Sequence, residues 1–308
     1  MLARLLALAG AACLTSAATD PAQPRQLYDD VRILSADGME GRLAGTPGSA
    51  RARAYLLERL RAIGLEPAYA AFEQPFDAEH DGEALKGVNL IGRVRGSGTS
   101  NRVLVIGAHY DHFGTRDGQI LNGADDNASG VAVLLSIAEH FVRERPAHDV
   151  IFALWDAEEQ GFYGAKAFVA KPPVPLSRIA MNLNLDMMSR SDRNELWLAG
   201  ARHYPFLRKR FERLATQAPV SLKLGHDGPP WKGTDDWTDG SDHFVFHHKG
   251  IPFAYFGVED YADYHKPTDD FAAIPKDFFA RSAATALLAA QLFDRDLDAI
   301  AAEAGRAK

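Results

Sequence analysis

The sequence predicts an α/β protein: a three-layer α/β/α domain whose mixed, mostly parallel sheet carries helices on both faces. Three observations predict it. Apolar runs of strand length recur as RVLVIGAHYD (102–111), DVIFALWDAEE (149–159), IAMNLNLDMMS (179–189) and GIPFAYFGV (250–258), as expected of strands buried on both faces. Helical segments separate these runs, which is the pattern of a parallel sheet. No Pro/Gly/Ser linker divides the chain after residue 26, so 27–308 reads as a single domain.

The elements follow in order. Residues 1–18 hold Arg4, an apolar run from Leu5 to about Leu14 and small residues after it, which reads as a secretory signal peptide. The run is too short to span a membrane. Export to the periplasm or the medium is therefore expected, with a lipoprotein acylated at Cys13 as the alternative. Gly10 stands where such sites usually carry leucine, which argues against the alternative. Residues 19–26 form a linker. From Gln26 to about Ala70 the pattern is helical, with Ala52, Tyr55, Leu56 and Leu60 at helical spacing and a stop at Gly64. Strands begin after Pro67, with VNLIGRVRG (88–96) first. Helices are expected at 129–144, in GFYGAKAFVAK, at 206–217 and from Phe278 to the end. A further strand is ELWLAG (195–200). The polar stretch 223–242 lacks periodicity, and a loop that long suggests a lid or pocket wall.

Bulk properties exclude some functions. The 308 residues are 46% hydrophobic and 24% charged, and the formal net charge is −7. No basic stretch is interleaved with aromatics, so nucleic acid is not an expected partner. Cys13, the one cysteine, lies in the signal segment, so the mature chain is expected to have neither disulfide nor thiol chemistry.

Acidic residues and histidines then gather where the strands end. His109 and Asp111 follow RVLVIGA, Glu158 and Glu159 follow DVIFALW, Asp186 follows MNLNL, and His265 lies past GIPFAYFGV. Asp125 sits in NGADDNASG, on the loop entering the helix at 129. Ligands in open α/β sheets bind outside the carboxyl ends of the strands. Each motif has a bland reading alone: HxD as a capped turn, ADDNASG as a helix cap through Asp126, Asn127 or Ser129, an EE pair as surface charge, His265 as a loop residue. Their joint placement at one edge is what a capping or surface role does not explain. His109, Asp125, Glu159, Asp186 and His265 give three carboxylates and two imidazoles, enough for two divalent cations if Asp125 bridges. Each cation would keep a position open for water. Asp111 is placed to accept the other N–H of His109, and Glu158 to act as general base.

The order HxD, GADDNASG, AEEQGFYGA, NLDM, SDHxxFxxxGIP and YHxPTDD resembles metallopeptidase family 28, over about Asn89 to Leu292. The resemblance implies a zinc exopeptidase-like fold and two Zn2+ per chain. His109, Asp125 and Asp186 would hold one zinc; Asp125, Glu159 and His265 would hold the other. It also implies Glu158 as base, Asp111 as the group orienting His109, and a cis peptide at Asp125–Asp126. Ser241, Asp242 and His243 would support the pocket, and His247 and His248 read as surface residues. The implied activity is hydrolysis of a peptide substrate at a chain terminus, first as an aminopeptidase. Alternatives are a carboxypeptidase of the same family, a single-zinc glutaminyl cyclase and a non-catalytic binding module. The cyclase is disfavoured by the second metal site that His109 completes, the module by the full ligand set. An aminopeptidase needs spare carboxylates for the substrate ammonium. Asp227, Asp235, Asp236 and Asp239 in the 223–242 loop, against only Lys223 and Lys232, favour that reading.

Overall fold

The computed structural model describes residues 23–228 and 235–306. The expected signal segment, with Cys13, lies outside the described residues. The expected linker 19–26 is shorter than its bounds, because helix α1 (Gln23–Leu34) already includes 23–26.

Local signals account for the first elements. A 3₁₀ segment, Asp37–Arg42, leads to helix α2, Pro47–Ile63. The Thr46 side chain accepts Ser49 N–H, Pro47 opens the first turn, and Gly64 closes the helix at φ 89°. Strand β1 (Glu66–Pro67) precedes an antiparallel hairpin of β2 (Glu73–His80) and β3 (Glu83–Val94). Asp81 and Gly82 turn it with φ of 53° and 82°, the positive pair that an Asp-Gly hairpin turn uses. Strand β2 was not expected: it carries alternating exposure without an apolar run.

Strand β4 (Val103–His109) leads through a small hairpin, β5 (Thr115–Arg116) and β6 (Gln119–Ile120), to helix α3, Gly130–Arg143. Then come β7 (Asp149–Trp155), α4 (Tyr163–Ala170), β8 (Ile179–Leu185), β9 (Glu195–Ala199) and α5 (Arg208–Gln217). The chain closes with β10 (Ser221–Leu224), α6 (His243–His247), β11 (Phe253–Gly257) and α7 (Lys276–Arg306). The sheet runs β1-β3-β7-β4-β8-β11-β9-β10, with β2 beside β3. Its centre, β7-β4-β8-β11, is parallel, and β3 and β9 flank it antiparallel. The mixed, mostly parallel three-layer fold is therefore the one expected.

Side chains alternate between two cores. Leu104 and Ile106 of β4 and Phe152 and Leu154 of β7 pack with α1, α2, α3 and α7. Val103, Val105, Ile151, Ala153 and Trp155 pack on the opposite face with Phe168 and Phe246, from α4 and α6. Gly107 leaves room for the Trp155 indole, since a Cβ there would lie 2.4 Å from its Nε1. Both faces being covered explains the unbroken apolar runs, and it leaves only the strand ends for polar groups. Among the described residues no helix is long and apolar enough to cross a membrane.

Candidate metal centre

The strand ends deliver the expected groups to one cleft of about 400 Å³. His109 ends β4, Glu158 and Glu159 follow β7, and Asp186 directly follows β8. His265 reaches the cleft from the segment after β11, with a Phe113 ring edge-on at 4.6 Å. His109, Glu158, Glu159, Asp186 and His265 all line the cleft.

The expected bridge is displaced by one residue. Asp126, not Asp125, faces the cleft. Its Oδ1 lies 3.4 Å from His109 Nε2, and its Oδ2 lies 3.1 Å from His265 Nε2. Asp186 Oδ1 is 3.2 Å from the same His109 nitrogen. Asp125 points the other way, where its Oδ1 accepts the Ser189 amide at 2.6 Å and the Ser189 hydroxyl at 2.7 Å. The cis peptide follows the same shift and is Asp126–Asn127. Of the candidate caps, Asn127 serves α3: its Oδ1 accepts Gly130 N at 2.9 Å, and its amide donates to Leu185 O at 2.9 Å.

Asp111 also differs from expectation. Its carboxylate stands 3.6 Å from His109 Nδ1, beyond a good hydrogen bond, while its backbone carbonyl is at 3.3 Å. The carboxylate instead accepts the amides of Glu158 and Glu159, at 3.1 and 3.3 Å. Asp111 thus fixes the turn that carries both glutamates, and orients His109 through its own carbonyl.

Several further groups went unnoticed in the sequence. His112 Nδ1 lies 2.6 Å from Glu159 Oε1, so His112 stands beside Glu159, while His265 meets the cluster through Asp126. Asp269 accepts the amides of Asp125 and Asp126 at 3.1 and 3.2 Å, and so holds the turn from the far end of the YHKPTDD segment. Arg42, fully buried, donates to the carbonyls of Leu34, Tyr110, Asn122 and Gly123 at 2.7–2.9 Å. The second histidine of HYDH and the first acid of TDD were visible signals. Arg42 lies in a Gly-rich loop and gave none.

Electrostatics follow from packing these groups together. Burial pushes the Glu158 and Glu159 carboxyls up; His109 pulls both back, and neighbouring carboxylates add to the rise. Burial pulls the His109 imidazole down, but Asp186 and Glu158 carry it well above its usual value. Asp126 resists burial because His112, His109 and His265 surround it, and they hold it well below the carboxylate range. Burial pulls His112 down to about 4, so its ring is neutral near pH 7.

The donor set fits divalent cations. Tetrahedral zinc with bonds of about 2.0–2.1 Å sets its donor atoms roughly 3.3 Å apart, close to the spacings around His109, Asp126 and Asp186. His109, Asp126 and Asp186 form one group of converging donors, and His112, Asp126 and Glu159 a second. Asp126 belongs to both, with one oxygen toward each side.

The 223–242 stretch is a pocket wall where it is described. Asp235, Trp237 and Gly240 line the cleft, and Trp237 stacks on His226 at 3.7 Å. The other loop acids are engaged elsewhere. Asp227 accepts the amides of Gly200 and Arg202, Asp236 that of Thr238, and Asp239 faces His248 at 3.7 Å. Asp260 joins Asp235 in the lining, and no Lys or Arg lines the cleft among the described residues. Ser241, Asp242 and His243 lie behind the cleft, where Ser241 accepts from Asn184 and His243 meets Trp237 O. His248 is exposed, but His247 is half-buried against the Tyr204 hydroxyl, so only one of the pair is a surface residue.

A covered parallel sheet with clustered carboxylates and imidazoles at its strand ends defines a fold of the zinc exopeptidase kind. The chain belongs to peptidase family M28, whose sequence profile matches residues 89–290. Solved structures share the fold. A zinc aminopeptidase of Bacillus subtilis superposes with a TM-score of 0.67 at 18% identity, covering 86% of this chain and 94% of that one. A leucine aminopeptidase precursor of Bacteroides thetaiotaomicron gives 0.67 at 20%, covering 86% and 95%. A Porphyromonas gingivalis glutaminyl cyclase gives 0.68 at 20%, covering 88% and 98%. At these identities the likeness is one of fold. A vacuolar membrane protease of Clavispora lusitaniae is 40% identical over 99 residues, 32% of this chain but 9% of that protein. A probable zinc metalloprotease of Pyricularia oryzae is 37% identical over 89 residues, 27% of this chain and 17% of that protein. The chain thus aligns with a small part of these relatives' length.

Proposed function

We propose that the protein is an exported di-zinc exopeptidase that removes residues from the amino end of peptides. The observation that carries this reading is Asp126, whose two oxygens face imidazoles from different parts of the chain while Glu158 stands beside them. His109, Asp126 and Asp186 would hold one zinc; Asp126, Glu159 and His265 the other. Bound zinc would lower the pKa of water and polarise the scissile carbonyl. The chain's own groups do the rest. Glu158, held by Asp111 through its backbone amide, takes a proton from the attacking water and passes it to the leaving nitrogen. Asp235 and Asp260 supply negative charge for a substrate ammonium, and no described cation in the lining serves a carboxylate. The aromatic and apolar lining, Phe162, Trp237, Tyr255 and Met187, suits an apolar side chain. Export rests on the signal segment.

The test is hydrolysis of aminoacyl p-nitroanilides and of peptides free or blocked at either end, by the chain from residue 19 onward. Chelator-sensitive release requiring a free amino end is expected, with about two zinc ions per chain. Release from the carboxyl end, or tight binding of about one zinc with cyclisation of amino-terminal glutamine, would replace the reading with its carboxypeptidase or cyclase alternative.

A further inference from the structure

His112 lies outside the ligand set just proposed, yet it is enclosed within the cluster. Its ring is fully buried. Nδ1 is 2.6 Å from Glu159 Oε1 and 3.8 Å from Asp126 Oδ2. Nε2 is buried with no protein partner among the described residues. The ring is wedged against Gly123, where a Cβ would come within 2.6 Å of its Cγ and Cδ2. Phe113 packs beside it at 4.9 Å and abuts the His265 ring at 4.6 Å. Two consecutive residues therefore touch the side chains of both Glu159 and His265.

A carboxylate that binds a cation is ionised and accepts hydrogen bonds only, so its partner at 2.6 Å must donate. The neutral imidazole then carries its proton on Nδ1. A Glu159 oxygen held by that proton is directed at His112, leaving the other oxygen free to turn toward a cation. We propose that His112 is a positioning residue that donates Nδ1–H to Glu159 and so holds Glu159 as a one-oxygen ligand of the metal it shares with His265. The inference rests on the di-zinc reading. Partners of this kind are worth about 10–100-fold in metal affinity or activity.

The test compares three variants that differ in where a donor sits. His112→Asn places its amide near the Nδ1 position, His112→Gln moves it toward Nε2, and His112→Leu removes it. Zinc content is measured on purified full-length mature protein against a graded chelator, with kcat and KM on an aminoacyl p-nitroanilide and melting in chelator. Expected for H112L and H112Q is loss of one of the two zincs at chelator levels the wild type tolerates. Its affinity should fall ~10–100-fold, and kcat should fall with little change in KM. H112N should recover most of both. Equal zinc retention in all variants, with only melting altered, would reduce His112 to a packing role and overturn the proposal. So would H112N behaving like H112Q, which would mark His112 as a ligand in its own right. Should H112L fail to fold, the H112N and H112Q pair, both polar, still decides. A wild type that binds no zinc would instead refute the di-zinc reading.

Discussion

Ser189 donates both its backbone N–H and its hydroxyl to Asp125 Oδ1, at 2.6 and 2.7 Å. Ser129 adds a third donor at 3.1 Å, and its hydroxyl also accepts Met188 N–H. Asp125 is thereby committed to tying the turn before α3 to the loop after β8, which carries Asp186. Its neighbour Asp126 is left to face the cleft. Asp126→Asn should cost at least about 100-fold in kcat/KM and release zinc at lower chelator concentration. Asp125→Asn turns an acceptor into a donor among three donors. It should cost about 1–3 kcal/mol of stability and keep most of the zinc. Zinc content and denaturant midpoints measured on the same two preparations separate the roles, and zinc loss confined to D125N would reverse them.

Arg42 makes a different link, joining four carbonyls on three segments. Burial brings its guanidinium down to about 10, with Asp126 the first of the carboxylates opposing that fall, so it remains charged near neutral pH. Arg42→Lys retains charge but lacks the planar fork that spans these acceptors. Stability should fall by at least about 3 kcal/mol as buried carbonyls lose their partners. Activity should fall too, because Tyr110 and Gly123 flank the residues that enter the cluster. Equilibrium unfolding in urea with kcat on the folded fraction checks both.

Acid sensitivity has a definable source in His243. The ring is fully buried, and burial pulls it from 6.5 down to about 3, even though contact with Trp237 O favours the charged form. The unfolded chain therefore takes up a proton below pH 6.5 that the folded chain refuses until about pH 3. Stability from this residue is complete above pH 6.5 and drains away over that window as pH falls, by about 1.4 kcal/mol per unit. His243→Gln keeps a donor for Trp237 O at 2.9 Å but does not titrate. Its unfolding free energy should decline less steeply than that of wild type between pH 6 and pH 4, which lies inside that window. Parallel slopes in urea titrations at several pH values would contradict the assignment.

What the sequence made legible and what it hid have physical reasons. Strands buried on both faces announce themselves as apolar runs, and their ends place His109, Glu158, Glu159 and Asp186 at one edge. Hairpin β2–β3 was missed because half-exposed strands alternate weakly, although the Asp81-Gly82 pair between them is a turn signal. The Asp125 and Asp126 assignment failed because both acids sit in one non-periodic turn. Which one faces the cleft is decided by Ser189, more than sixty residues on. Arg42 was passed over because arginine is ordinarily exposed, and its burial shows only when its four acceptors are brought together.

Asp260 and Asp235 both line the cleft that holds the candidate metal ligands. Burial first, then the Asp235 carboxylate, pushes the Asp260 carboxyl up. A carboxyl raised beside a second carboxylate favours a cation between them, and a substrate ammonium would supply one. Asp260→Asn should then weaken aminoacyl substrates by roughly 10–100-fold in kcat/KM, the span of a hydrogen bond to a charged group. The loss should fall chiefly on KM, since the ammonium is bound alike in ground and transition states. N-acetylated substrates, lacking the charge, should be turned over equally poorly by variant and wild type. An equal loss on charged and acetylated substrates would show that Asp260 shapes the cleft without reading the amino end. Steady-state kinetics on one matched substrate pair distinguishes the two outcomes.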